Sequence, residues 1–170
     1  MAALDIGGVI MTGLQFEKDF CEIMQKKGFW ALNVSKDRTG AQPFDVLAIR
    51  SKFDSKVEIF AIDCKVCEAD RFHLSRIEEN QWAALDLFRH KVYGAHCGLA
   101  IFHSGKIYFV DIASLILAEK RGQATIQFCD SIVPFYVDDC RKYNLGSKRV
   151  MAFLMFDEQN IFDLIGRTLA

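Results

Sequence analysis

Asp63-Cys64-Lys65 closes a long apolar segment, Val57–Val66. Strand side chains alternate faces, so Asp63 and Lys65 project from the same side. A carboxylate and an ammonium are costly to bury there unless they pair or bind something. Asp45, in Pro43-Phe44-Asp45 at the start of the preceding apolar segment, supplies a second carboxylate. Adjacent strands bring Asp45 and Asp63 together at one sheet end, where like charges repel unless a cation sits between them. Mg²⁺ takes oxygen ligands in octahedral geometry and keeps several waters. Asp45, Asp63 and the main-chain carbonyl of Cys64 are therefore the expected ligands, with Mn²⁺ as a substitute. Lys65 is placed to orient or activate a water, or to neutralise charge on a phosphate. The chemistry would be metal-assisted hydrolysis of a phosphodiester.

The plain competitor is a salt-bridged strand end. An acidic-x-Lys triplet arises by chance roughly once in a chain of this size, and Asp54-Ser55-Lys56 is such a copy. That copy falls in a polar turn, where exposed charges need no explanation. Asp63 and Lys65 terminate an apolar strand, and two helical residues join them. Glu17 sits at the margin of an apolar helical face, and Gln81 is a polar residue on the stripe Ile77, Ala84, Leu85, Phe88. A solvated Glu and a satisfied buried amide are the bland alternatives for these two.

The elements that must position these groups follow from periodicity and caps. Thr12 opens a helix with Gln15 as a capping box; Phe16, Phe20, Ile23 and Met24 line it and Gly28 ends it. Phe29–Val34, Phe44–Ile49 and Val57–Val66 read as strands in a hairpin or meander. Ser75 and Glu78 form a second capping-box pattern before the next helix. The segments 97–102 and 107–110 flank Ser104-Gly105 as a β-hairpin. A short helix is expected over 111–120, then short strands at 125–128 and 132–137. Met151–Leu169 is rich in Phe, Leu and Ile, enough for a terminal helical segment against the core or a partner. The fold class is α/β, a mixed sheet flanked by helices.

The chain has 170 residues and 51% hydrophobic content, which fits a single domain over 1–170, with 150–170 as a C-terminal helical segment. No apolar run approaches the ~20 residues of a membrane span, and Met1–Ile10 lacks the basic start of a signal peptide. Six scattered cysteines suggest reduced thiols in a cytoplasmic setting. Cys64 and Cys67 have C-x-x-C spacing, but a zinc site would want a second close pair, so a core Cys64 is expected. The net charge of −1 names no partner. Lys36, Arg38, Arg71 and Arg76 cluster in sequence around the acidic motifs and are candidates for contacts to a nucleic-acid backbone. Arg141, Lys142, Lys148 and Arg149 form a later basic cluster.

The order of helix Glu, strand Asp, strand D-x-K and helix Gln resembles the core of PD-(D/E)XK nucleases, which have a restriction-endonuclease-like fold. Phe72-His73-Leu74-Ser75-Arg76-Ile77 and Asn80-Gln81, after the lysine, are similar to the RecU-type Holliday junction resolvases, as is the later hairpin Gly98–Val110. The resemblance covers roughly Glu17 to Ile116. It implies that Asp45 and Asp63 bind the metal, Lys65 assists the water, Gln81 positions water or phosphate and Glu17 is an outer acidic ligand. It also implies a Mg²⁺-dependent homodimer that resolves four-way DNA junctions in recombination and repair by paired nicking. The family usually has Glu where this chain has Asp63. The interval from Glu17 to Asp45 is brief, so the stalk such resolvases insert into a junction is expected to be missing or reduced, and there is no basic N-terminal arm. The alternatives are a nuclease of the same fold acting on flaps, ends or duplex DNA, or an inactive nuclease-like DNA-binding module.

Overall fold

The computed structural model describes residues 4–6, 9–34, 42–52, 55–128 and 136–139. A short antiparallel hairpin, β1 (Leu4–Ile6) with β2 (Val9–Met11), precedes the first helix. It was not expected from the sequence. Helix α1 (Gly13–Lys26) starts where Thr12 Oγ1 accepts the Gln15 main-chain N–H at 3.1 Å. The Gln15 side chain turns instead to Asp19, 2.7 Å away, so the reciprocal bond of a capping box is replaced by an i,i+4 contact. Gly28 follows at φ +87°, the left-handed conformation that ends a helix without a Cβ clash.

Strands β3 (Trp30–Asn33), β4 (Val46–Ser51) and β5 (Val57–Val66) form the expected antiparallel meander. A short strand β6 (Arg71–His73) and a 3-10 turn (Leu74–Arg76) lead into α2 (Glu79–Lys91). This corrects the expected cap. Ser75 and Arg76 lie in the 3-10 turn, outside α2, and the helix begins at Glu78, whose N–H donates to Gln81 Oε1 at 3.0 Å. Two patterns overlap here, Ser75-x-x-Glu78 and Glu78-x-x-Gln81. The second wins because Ile77 is buried and extended, which breaks the helix between them.

Strand β7 (His96–His103) returns parallel to β5, completing a βαβ unit around α2. It turns at Ser104-Gly105, both at positive φ, into β8 (Lys106–Asp111); such twin positive angles suit a two-residue hairpin. Gly98 has no room for a side chain, since a Cβ would lie 2.0 Å from the Val110 carbonyl oxygen. Helix α3 (Ile112–Lys120) is capped by Asp111, and β9 (Thr125–Gln127) pairs with β6. Strand β10 (Tyr136–Asp139) joins the edge beside β8. The main sheet runs β10-β8-β7-β5-β4-β3. It is the mixed sheet flanked by helices that the pattern implied.

Period-2 alternation divides the core between the two faces. Phe16, Phe20 and Met24 of α1 pack on Val46, Ala48, Phe60, Ile62, Ala100 and Phe102. Leu85 of α2 and Leu115 of α3 pack on Ala61, Leu99, Ile101 and Val110. Asp63 and Lys65 share the face of Ala61, so they point toward α2. No helix among the described residues is long and apolar enough to cross a membrane. Lys36, Arg38, Asp54, the late basic cluster and the 150–170 segment lie outside the described residues.

Candidate functional site

The polar cluster forms where the C-terminal half of β5 meets the start of β4 and the first turn of α2. Asp45 precedes β4 by one residue, yet its main chain is already in the sheet: its N–H donates to Ile62 O at 2.9 Å and its carbonyl accepts from Val34 at 2.7 Å. That register fixes the side chain. Asp45 Oδ2 accepts the Cys64 main-chain N–H at 2.6 Å, and Oδ1 accepts Gln42 Nε2 at 2.7 Å.

Asp63 is fully buried. Its Oδ1 accepts Gln81 Nε2 at 2.8 Å, and Lys65 Nζ lies 3.0 Å from Oδ2. That second contact is an ion pair by distance but is poorly aligned, so Oδ2 has no hydrogen bond among the described residues. Lys65 Nζ also donates to Gln81 Oε1 at 3.0 Å. The Gln81 amide thus bridges the carboxylate and the ammonium while its oxygen caps the Glu78 N–H. Four sequence-predicted residues, Asp45, Asp63, Lys65 and Gln81, are brought into one network.

Two buried carboxylates face one ammonium, and their protonation reflects it. Burial, then the charge of Asp63, pushes the Asp45 carboxyl up to about 8, against the opposing pull of the Cys64 N–H. Burial also raises Asp63, while the Lys65 ammonium beside it holds it down. Without a further cation the pair favours one shared proton. Glu17, half-buried on α1, adds negative charge that is felt at both Asp45 and Cys64, and Glu78 adds its own at Asp63.

A divalent cation fits this donor set in kind: hard carboxylate oxygens, one of them lacking a hydrogen bond, in a place short of positive charge. Among the described residues no group of three or more His, Cys, Asp or Glu side chains is arranged around a metal position. The protein would therefore contribute two carboxylates, with main-chain carbonyl and water completing the shell.

The basic candidates are placed differently. Arg76 Nη2 donates to Val66 O at 2.8 Å, and its guanidinium lies 5.3 Å from the centre of the Phe72 ring. Arg71 stands opposite Gln127, whose amide oxygen, in the orientation that satisfies both groups, accepts from Arg71 Nη2 and Nε at 3.0 and 3.1 Å. Both arginines are exposed residues near the end of β5. Cys64 and Cys67 are free and buried, as is Cys97. Sequence reasoning missed Gln42, and it read Glu78 only as part of a cap and Asn80 only as part of the Asn80-Gln81 motif. A polar residue three positions before Asp45 carries no signal until the fold turns it inward.

No protein-family model matches the chain, and no curated protein matches it. Among solved structures, it is similar to Archaeoglobus fulgidus Hjc, a Holliday junction resolvase from an archaeal hyperthermophile. The match has 22% identity and a TM-score of 0.45, covering 60% of this chain and 78% of that one. The overlap is partial, and the chemistry of the site is read from its own geometry.

Proposed function

We propose that the protein is a divalent-metal-dependent DNA endonuclease with Asp45, Asp63, Lys65 and Gln81 at its centre. The observation that carries this reading is the excess of carboxyls: two are buried on neighbouring strands with a single ammonium between them and α2, so that without a further cation they must share a proton. Structural ion pairs are normally balanced, because each buried uncompensated ion costs several kcal/mol. Asp45, Asp63 and the Cys64 carbonyl would hold Mg²⁺, or Mn²⁺ in its place. When bound, the cation would supply Lewis-acid stabilisation of charge developing on the phosphate.

The remaining roles belong to the chain. Lys65 is held by Asp63 and Gln81, so its ammonium is oriented before substrate arrives. It would hold the attacking water or pair with a phosphate oxygen. Gln81 keeps Asp63 and Lys65 in register, and Glu17 supplies outer negative charge. Lys36, Arg38, Arg71 and Arg76 would contact the DNA backbone.

The four-way junction as target, and a homodimer making paired nicks across it, follow from the resemblance in Phe72–Gln81. One observation favours the broader reading of a nuclease for flaps, ends or duplex: Phe72, Leu74 and Ile77 are core residues, so their pattern is explained by packing β6 and the 3-10 turn.

The test is incubation of purified protein with four-way, flap and linear DNA, with Mg²⁺ or with EDTA. Symmetric, metal-dependent nicks on the four-way substrate alone are the expected result. Cutting of every substrate would leave the chemistry and remove the junction. Binding without cutting would identify a nuclease-derived binding module. Lys65→Ala is expected to lower cleavage roughly 10²- to 10³-fold with DNA affinity retained; wild-type cleavage in that variant would remove Lys65 from the site.

A further inference from the structure

Asn80 and Gln81 are consecutive residues in the first turn of α2, and each reaches toward a different acidic residue. Gln81 Nε2 holds Asp63 directly. Asn80 Nδ2 donates to the main-chain carbonyl of Gln42 at 3.3 Å, and the Gln42 side chain donates to Asp45 Oδ1 at 2.7 Å. A second, longer bond from Gln42 Nε2 to Phe44 O, at 3.4 Å, ties the same amide to the chain leading into Asp45.

From this geometry we infer that Gln42 is a positioning residue for Asp45, and that Asn80 anchors it to α2. One helix end then sets both carboxylates, Asp63 through one link and Asp45 through two. The inference rests on the reading of Asp45 as a metal ligand, and deepens it.

The choice of an amide matters. A carboxylate held by a neutral donor keeps its charge available, whereas a lysine or arginine at position 42 would fill the place of the cation. Both Asp45 oxygens accept one N–H each, from Cys64 and from Gln42. With two lone pairs per oxygen, each can still serve a metal. Removing the Gln42 donor leaves Asp45 fixed at one oxygen only, free to rotate about that contact. Partners that orient a metal ligand are typically worth about 10- to 100-fold in metal affinity.

Two measurements test this on the full-length, DNA-free protein. The first follows Mn²⁺ binding by the paramagnetic resonance of free Mn²⁺. Gln42→Ala is expected to weaken binding at least tenfold. Asn80→Ala should weaken it less, and the double variant should be no worse than Gln42→Ala, since the two residues act in series. Gln42→Lys should abolish binding while leaving the fold intact. Equal affinity in wild type and Gln42→Ala would overturn the inference. The second needs no metal. The Cys64 amide proton, bonded to the other Asp45 oxygen, should resonate far downfield and move upfield in Gln42→Ala, with amide exchange faster by about tenfold. An unmoved Cys64 resonance would overturn the positioning role. A wild type that binds no Mn²⁺ but shows this shift would sink the metal site and keep the positioning.

Discussion

Glu58 and Asp63 lie five residues apart on β5, on opposite faces of the sheet, and are 4% and 0% exposed. Glu58 is gripped by Arg50 Nε at 2.6 Å and Lys52 Nζ at 3.0 Å. Arg50 also lies 4.3 Å over the Phe29 ring and donates to Lys27 O. Among the described residues this one anion therefore has two cations, and the Lys52 side chain is 31% exposed. Asp63 has the reverse arrangement. It shares one ammonium with Asp45, so two buried carboxyls hold one proton between them unless a further cation binds. The same strand thus carries one anion held between two of the protein's own cations and one that shares its single ammonium with a second carboxyl. The proposed cation belongs at the end where carboxyls outnumber the ammonium.

The comparison can be broken by neutralising each anion in turn. Glu58→Gln removes a buried partner of two half-buried cations and is expected to destabilise the protein by about 3 kcal/mol in urea unfolding. Asp63→Asn removes the need for a shared proton, leaving the Asp45 carboxylate for the one ammonium, and should leave the metal-free protein about as stable. Equal losses from both would erase the distinction between the two ends.

Acidity sharpens it. Without a divalent ion, burial and then the charge of Asp63 push the folded Asp45 carboxyl up to about 8, above its ordinary value of 3.8. The folded state then holds a proton that the unfolded state has released, so stability is full below about 4 and is lost as pH rises toward 8. The loss is on the order of a few kcal/mol, and Asp45→Asn should flatten the curve. Thermal melts across this range, without divalent ions, measure it. A curve of the same slope in that variant would detach the effect from Asp45.

The smallest effect belongs to the exposed pair Asp86–Arg89, 2.7 Å apart on α2 with both side chains about a third exposed. Asp86→Ala should change stability by less than about 1 kcal/mol, as read from the same melts. A larger loss would mean that solvent does not separate this pair from the two buried clusters.

The two ends of β5 were unequally legible. Val57–Val66 announced itself as a strand through its apolar run, and the D-x-K placed Asp63 and Lys65 on one face. Gln81 stood out as an amide on an apolar stripe, which is why the network around Asp63 was visible before the fold. Glu58 was not, because the Arg50–Lys56 stretch looks like a plain polar connection until the register sets Arg50 opposite Glu58. Gln42 and the contact made by Asn80 were hidden for a similar reason, since their bonds span 3 and 38 residues and depend on the chain turning back against α2. Ser75 misled because two capping patterns overlap, and only the burial of Ile77 chooses between them. The β1–β2 hairpin was missed because its strands are three residues each, too short for alternation to register.

A calorimetric titration of the metal-free protein with Mn²⁺ tests the central claim most directly, with wild type, Asp63→Asn and Glu58→Gln compared at one pH. The predicted result is one ion per chain for wild type, the same for Glu58→Gln, and none for Asp63→Asn. Absence of binding in wild type, or binding undiminished in Asp63→Asn, would contradict the claim that the open end of β5 is built for a cation.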